Sequence, residues 1–358
     1  MKKKLRRLAI RRLVPWSIRT PGIADAVQFL ETQTDRSRSS STCDKSPVFI
    51  LSAGWRSGST LLQRLICSDA SVLVWGEPFG DLIPVHHLAA TISQIRVSDR
   101  YMLNAIDCFS EPLSGQWIAN LNPGAKPIWG AHRAYFDALF AKPAMDRGFS
   151  RWGAKWVRLS AGHAFYLRWI YPDARLVFLV RHPLEAYRSY VTYLRDLYPA
   201  PKLKSVVRHP VTALSRRRRS HWYSVRPNFV MRGVCRFIAH WTYVAKSFLN
   251  HRERLGALLI RYEDLVTDGG TASALGSYLN IEGDHSVFAS KLGASKDKPR
   301  TSLFARCLCR FLAGDLCEQL GYDISQETPR APAVLQGNDG HSDISTTRDL
   351  TSKERYRL

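Results

Sequence analysis

The chain has 358 residues, enough for one large domain or two small ones with a sizeable buried core. A hydrophobic fraction of 45% is that of an ordinary globular protein. The charge is unusual: 52 Lys and Arg against 30 Asp and Glu leave a net +22, with a pI near 10. That field attracts polyanions such as nucleic acid, acidic lipid, phosphorylated cofactors or acidic glycans, without choosing among them. Seven scattered cysteines, an odd number, form no disulfide framework and suit a reducing compartment, hence the cytoplasm. Cys307 and Cys309 lack a second pair at zinc-ligand spacing, so no metal is expected there.

The opening "MKKKLRRLAIRRLVPWSI" is basic, without an apolar run of signal-peptide length. Two readings are open for residues 1–20. One is a frayed, solvated tail. The other is a helix lying on an anionic membrane, because Leu5, Leu8, Ile10, Leu13, Val14 and Trp16 give an imperfect apolar face among arginines. No segment reaches the roughly 18 consecutive apolar residues of a membrane span. Residues 31–46 are polar and Ser-rich and read as a linker, so residues 1–46 are set apart from a domain over 47–325.

Short apolar runs predict strands at Val48–Leu51, Val72–Trp75, Trp152–Val157, Leu176–Val180 and Leu258–Tyr262. Helical spacing follows the first and fourth, over Thr60–Ile66 and Leu184–Leu194. Strand, turn, helix, strand is α/β grammar, in which ligands collect at the C-terminal ends of the strands. Residues 195–236 are rich in basic side chains, with Arg216–Arg219 unbroken. They read either as a solvated loop or as a surface for an acidic acceptor or membrane. From about Glu327 the sequence is polar and aperiodic, and residues 326–358 are expected to be disordered.

Chemistry concentrates after the first strand, in "SAGWRSGST". Gly58 permits a tight turn, and the amides after it open a helix at the positive end of its dipole. Ser57, Ser59 and Thr60 add hydroxyls and Arg56 a forked guanidinium. This suits a phosphate or sulfate. The nucleoside-triphosphate loop pattern fails, because its second glycine falls on Ser59 and its lysine on Thr60. A second basic site is "LVFLVRHPLEAYRSY". Arg181 ends a strand, Pro183 opens a helix, and Ser189 lies along that helix.

In that order, "RSGST", "RHPLEAYRS", "LIRYEDLVTD" and "LAGDLCEQLGYD" resemble segments of the sulfotransferase family that uses 3′-phosphoadenosine 5′-phosphosulfate (PAPS). The resemblance covers roughly residues 47–325. It implies a P-loop-like, three-layer α/β fold with a central, mainly parallel sheet. It also implies that Arg56, Ser57, Gly58, Ser59 and Thr60 hold the 5′-phosphosulfate. Arg181 and Ser189 would hold the 3′-phosphate, with Tyr262 near the adenine. Leu61 stands where some members carry a tryptophan. Lys155 in "GAKWVRLS" matches the lysine of a Lys-Thr-His segment, but Val157 replaces the histidine base. The other base used in the family is a glutamate after the second strand, and Glu77 in "VLVWGEPFGD" takes that place, with Trp75 and Phe79 nearby to desolvate it. Lys155 is expected at the sulfonate. His86, His87, His132 and His163 are held in reserve, and Lys296, Lys298 and Arg300 as a loose 3′-phosphate loop. The glutamate leans the acceptor towards a carbohydrate, lipid-linked or tyrosyl group, with 3′-phosphoadenosine 5′-phosphate (PAP) as product and no metal. The competing readings are a nucleic-acid- or membrane-binding protein and a small-molecule kinase.

Overall fold

This computed structural model describes residues 2–19, 22–33, 46–77, 84–93, 95, 104–110, 112–197, 230–288 and 301–324. Phe79, Arg216–Arg219, Lys296, Lys298, Arg300, the Ser-rich stretch after residue 33 and residues 326–358 lie outside them. The strands are β1 (Val48–Ser52), β2 (Val72–Trp75), β3 (Arg151–Val157), β4 (Arg175–Val180) and β5 (Leu258–Arg261). They pair in the order β2-β3-β1-β4-β5, every pair parallel. All of β1 and β3 is buried, as strands covered on both faces must be. Each of the five lies within a residue or so of its predicted run. The difference at β5 is Tyr262, which opens a helix, α11 (Tyr262–Thr267). Glu263 and Asp264 sit in its first turn, where carboxylates favour a helix N-terminus.

Alternation along the strands separates two cores. Phe49, Leu51, Trp152, Trp156, Leu176 and Phe178 face the larger one, under α3 (Ile23–Gln33), α5 (Pro84–Ile92), α8 (Ala161–Ile170), α10 (Val230–His251) and α13 (Leu303–Gln319). Phe178 stacks on Phe248 of α10 with ring centroids 4.2 Å apart. Val48, Ile50, Val72, Val74, Val177, Leu179 and Ile260 face the smaller core, under α4 (Ser59–Ile66), α11 and α12 (Gly269–Leu279). The result is the expected three layers, with aromatic residues concentrated on one side.

The chain leaves adjacent strands β1 and β4 in opposite directions. After β1 it enters α4, on the smaller-core face. After β4 it enters α9 (Pro183–Leu197), whose Leu184 and Tyr187 join the larger core. A crevice opens where neighbouring connections diverge in this way, at the carboxyl ends of the strands.

The N-terminal residues are not a frayed tail. Lys2–Leu13 forms α1 and Trp16–Arg19 forms α2. Val14, Ile18, Ile23, Val27 and Leu30 are buried in the larger core, and Met1–Ile324 clusters as one compact unit. The polar stretch read as a linker from residue 31 begins inside α3. Ile10, Leu13 and Val14, three of the apolar side chains set among arginines, dock α1 on that core.

Candidate active site

The loop after β1 is built from inside outwards. Ser52 Oγ donates to the Gly54 carbonyl at 2.8 Å and shares a 2.7 Å hydrogen bond with Ser57 Oγ. This buried pair holds the turn, so the Ser57 hydroxyl is engaged within the loop. Arg56 takes a left-handed backbone with φ 60°, rare for a residue with a Cβ, and its side chain reaches solvent. Gly58, with φ 90° and ψ 10°, stands at the N-cap of α4 and brings no capping side chain to the helix. Uncapped amides at the positive end of a helix are donors for an anion. Ser59 is buried and Thr60 exposed. Glycine is obligatory at 58 for a second reason: a Cβ there would lie 2.1 Å from Cδ2 of Tyr262.

The second basic segment comes to the same place across the β1/β4 crevice. Arg181 Nη1 donates to the Arg56 carbonyl at 2.9 Å, and its guanidinium lies 4.3 Å from the centre of the Tyr262 ring. Arg56 Nε donates to Ser189 Oγ of α9 at 3.2 Å. Arg56, Gly58, Arg181, Ser189 and Tyr262 therefore form one cluster. Tyr262 fills the space between Gly58 and Arg181.

The base candidate forms a second cluster. Lys155 is buried in β3 and its register partner is Ile50, which places it on the face covered by α4. Its Nζ donates to Glu77 Oε1 at 2.8 Å. The Glu77 side chain keeps 25% of its surface open against 7% for Lys155, so the carboxylate is the reachable partner. Trp75 Nε1 is anchored on the Phe140 carbonyl at 3.0 Å.

Several residues holding these clusters escaped the sequence reading. The ring of Trp55 stacks on Tyr190, one residue beyond Ser189, with centroids 5.1 Å apart and planes 9° from parallel. The Arg158 guanidinium lies 4.3 Å from the Trp55 ring centre. Arg158 follows β3 directly, has φ 70° and is buried. Its position at a strand end was the signal that marked Arg181. Trp241 Nε1 donates to the Arg181 carbonyl at 2.9 Å. Glu263 accepts the His182 amide at 3.0 Å on Oε1 and the Tyr322 hydroxyl at 3.0 Å on Oε2. Arg261 pairs with Asp264 and donates to the carbonyls of Leu320 and Gly321. These contacts give the "RYED" and "LGYD" segments their structural content.

Of the reserve histidines, His163, His132 and His86 are engaged elsewhere, and His87 is exposed. His163 accepts the Ser160 amide on Nδ1 at 3.2 Å and closes the capping box of α8. His132 Nδ1 lies 2.8 Å from the Tyr166 hydroxyl. The partly buried His86 lies against His163, with ring centroids 4.8 Å apart. Its pKa is pushed down to about 4, first by burial and then by the Arg158 charge. His240 is pushed down to about 3 by burial, then by Arg158 and His86. Among the described residues, no group of three or more His, Cys, Asp or Glu is arranged to hold a metal ion.

Residues 47–195 match the model of the sulfotransferase family. No curated protein sequence matches the chain. Among solved structures it is similar to a sulfotransferase from Alicyclobacillus acidocaldarius, at 16% identity and a TM-score of 0.39, covering 78% of this chain and 97% of that one. The sulfotransferase domain of the curacin biosynthetic pathway gives 17%, 0.36, 78% and 98% for the same quantities. The sulfotransferase domain of the Synechococcus PCC 7002 olefin synthase gives 17%, 0.39, 78% and 96%.

Proposed function

We propose that this chain, whose residues 47–195 match the model of the sulfotransferase family, moves a sulfuryl group from PAPS to a hydroxyl or amine acceptor. One observation carries the reading. The loop after β1 and the segment after β4 meet in a crevice, joined by the Arg56–Ser189 and Arg181–Arg56 hydrogen bonds. A nucleotide with phosphate groups at both ends of its ribose needs two neighbouring anion sites, and a nucleoside triphosphate needs one. The donor set fits such a ligand: an uncapped helix N-terminus, two guanidinium groups and the Ser189 hydroxyl.

When bound, PAPS supplies the sulfuryl group and a phosphate leaving group. The amides at Gly58–Thr60 and the Thr60 hydroxyl hold the 5′ end. Ser57 contributes its backbone, since its hydroxyl is tied to Ser52. Arg56 stabilises charge growing on the leaving oxygen, an effect strongest where donors are already in place. Arg181 and Ser189 hold the 3′-phosphate, and Tyr262 carries Arg181 on its ring face at the nucleoside end. Glu77 takes the proton of the acceptor, and Lys155 fixes the carboxylate and offers a charge to the sulfonate. The acceptor class is a carbohydrate, lipid-linked or tyrosyl group.

Calorimetric titration with PAP, AMP and ATP at moderate salt tests this, with wild type beside Arg181→Ala. PAP is expected to bind most tightly. Losing a charged hydrogen bond to the 3′-phosphate is expected to weaken PAP by about ten- to a hundredfold and leave AMP unchanged. Equal, weak binding of all three nucleotides that salt abolishes would overturn the proposal.

A further inference from the structure

Residues 2–13 form a helix with two apolar sides. Ile10 and Leu13 pack on the larger core and Val14 is buried in it, so the inner side is accounted for. Leu5 and Leu8 are left out, 52% and 48% exposed. Three- and four-residue spacing surrounds Leu8 with Lys4, Leu5, Arg11 and Arg12, all of them exposed. Alongside lies α13, tied to α1 by the 2.5 Å Arg6–Asp315 ion pair. It exposes Leu303, Phe304 and Phe311 beside Arg306 and Arg310. These two helices carry five of the twelve large apolar side chains exposed among the described residues. No helix among those residues is long and apolar enough to cross a membrane.

We propose that the outer faces of α1 and α13 form a docking surface for an anionic lipid bilayer. The arrangement asks for an occupant that is acidic and apolar at once. Leu5, Leu8, Phe304 and Phe311 gain by entering the boundary between headgroups and acyl chains, and Lys4, Arg11, Arg12 and Arg310 gain from the lipid phosphates. A nucleic-acid backbone would use the cations and leave the leucines and phenyl rings in water. This surface is independent of the PAPS reading and would stand if that reading failed.

Sedimentation of the full chain with lipid vesicles is the test. One set is phosphatidylcholine alone, and the other contains about a third phosphatidylglycerol, at about 0.15 M salt. Wild type is expected to sediment with the anionic vesicles only. The fourfold variant Leu5→Gln, Leu8→Gln, Phe304→Gln, Phe311→Gln keeps the net charge and is expected to lose at least about tenfold in partitioning. Lys4→Glu, Arg11→Glu, Arg12→Glu is expected to lose at least as much, since each cation near an anionic leaflet contributes about fivefold. Unchanged circular dichroism and thermal midpoints show that the variants fold. The proposal is overturned if the fourfold variant partitions like wild type, because charge alone would then explain binding. It is also overturned if wild type stays in solution, or if an RNA duplex displaces it from vesicles and binds the fourfold variant equally well.

Discussion

At the scale of single residues, the site depends on a few side chains and one absent Cβ. Gly58 has to be glycine for its φ of 90° and for the Tyr262 ring pressed against it. Arg56 holds a strained backbone, of order 1 kcal/mol or more, because its carbonyl and side chain are both claimed across the crevice. Glu77 tests the assignment of the base. Glu77→Gln keeps an oxygen for Lys155 but cannot take a proton. It is expected to lower kcat about 10²- to 10⁴-fold in a PAPS-dependent sulfation assay, with PAP affinity within a few-fold of wild type. A variant retaining full kcat would move the base elsewhere. Val157 is buried and aliphatic and offers no alternative.

At the scale of elements, the ends of strands and helices are locked to each other by buried and partly buried polar groups. Glu263 opens α11, accepts the amide next after Arg181 and receives the Tyr322 hydroxyl from beyond the end of α13. Burial and the Glu263 carboxylate raise the Tyr322 pKa, so the phenol remains a donor. Glu263→Ala leaves both donors without their acceptor, at about 1–3 kcal/mol each. The expected loss is about 2–5 kcal/mol in urea unfolding, with weaker PAP binding because His182 follows Arg181. A loss below about 0.5 kcal/mol would mean that water replaces the carboxylate freely. The Arg158–Trp55–Tyr190 column works in the same way, joining the end of β3, the loop after β1 and α9. The first lock joins two segments already marked as motifs, and the second uses side chains that a motif search passes over.

At the scale of the whole molecule, the net charge of +22 is held against an interior that refuses further protons. His240 is buried and His86 partly buried near Arg158, with pKa values lowered to about 3 and about 4, while those of His132, His182 and His251 are also lowered, each chiefly by desolvation. In the unfolded chain a histidine takes its proton near pH 6.5. Between about pH 6.5 and 4 the unfolded state therefore binds more protons, and stability falls as the pH falls. Each such group removes up to about 1.4 kcal/mol per pH unit within its window. Urea midpoints are expected to hold from pH 8 to 7 and to drop steeply from 6.5 to 5. A level profile down to pH 5 would show that these histidines ionise in the folded protein.

The strand–loop–helix units at Val48–Ile66 and Arg175–Leu197 were legible because their signals are local. An apolar run fixes a buried strand, a glycine permits the turn, and serines with a helical apolar stripe mark the helix after it. Helical spacing also suggested that residues 1–20 had an apolar face. It could not show that Ile10 and Leu13 pack inward while Leu5 and Leu8 remain outside. Spacing tells which residues share a side, not which neighbour will cover it. Strand order settled the rest. It brought Arg56 to Ser189 across 133 positions and Lys155 to Glu77 across 78. Arg158, one of many arginines along the chain, became the charge beside Trp55, His86 and His240 only when β3 was placed next to β1. The sequence by itself determined the two loops after β1 and β4, whose donors lie in consecutive backbone amides and neighbouring side chains. Their meeting, and the pairing of Lys155 with Glu77, were decided by the tertiary structure, because long-range contacts follow from how the layers bury their faces.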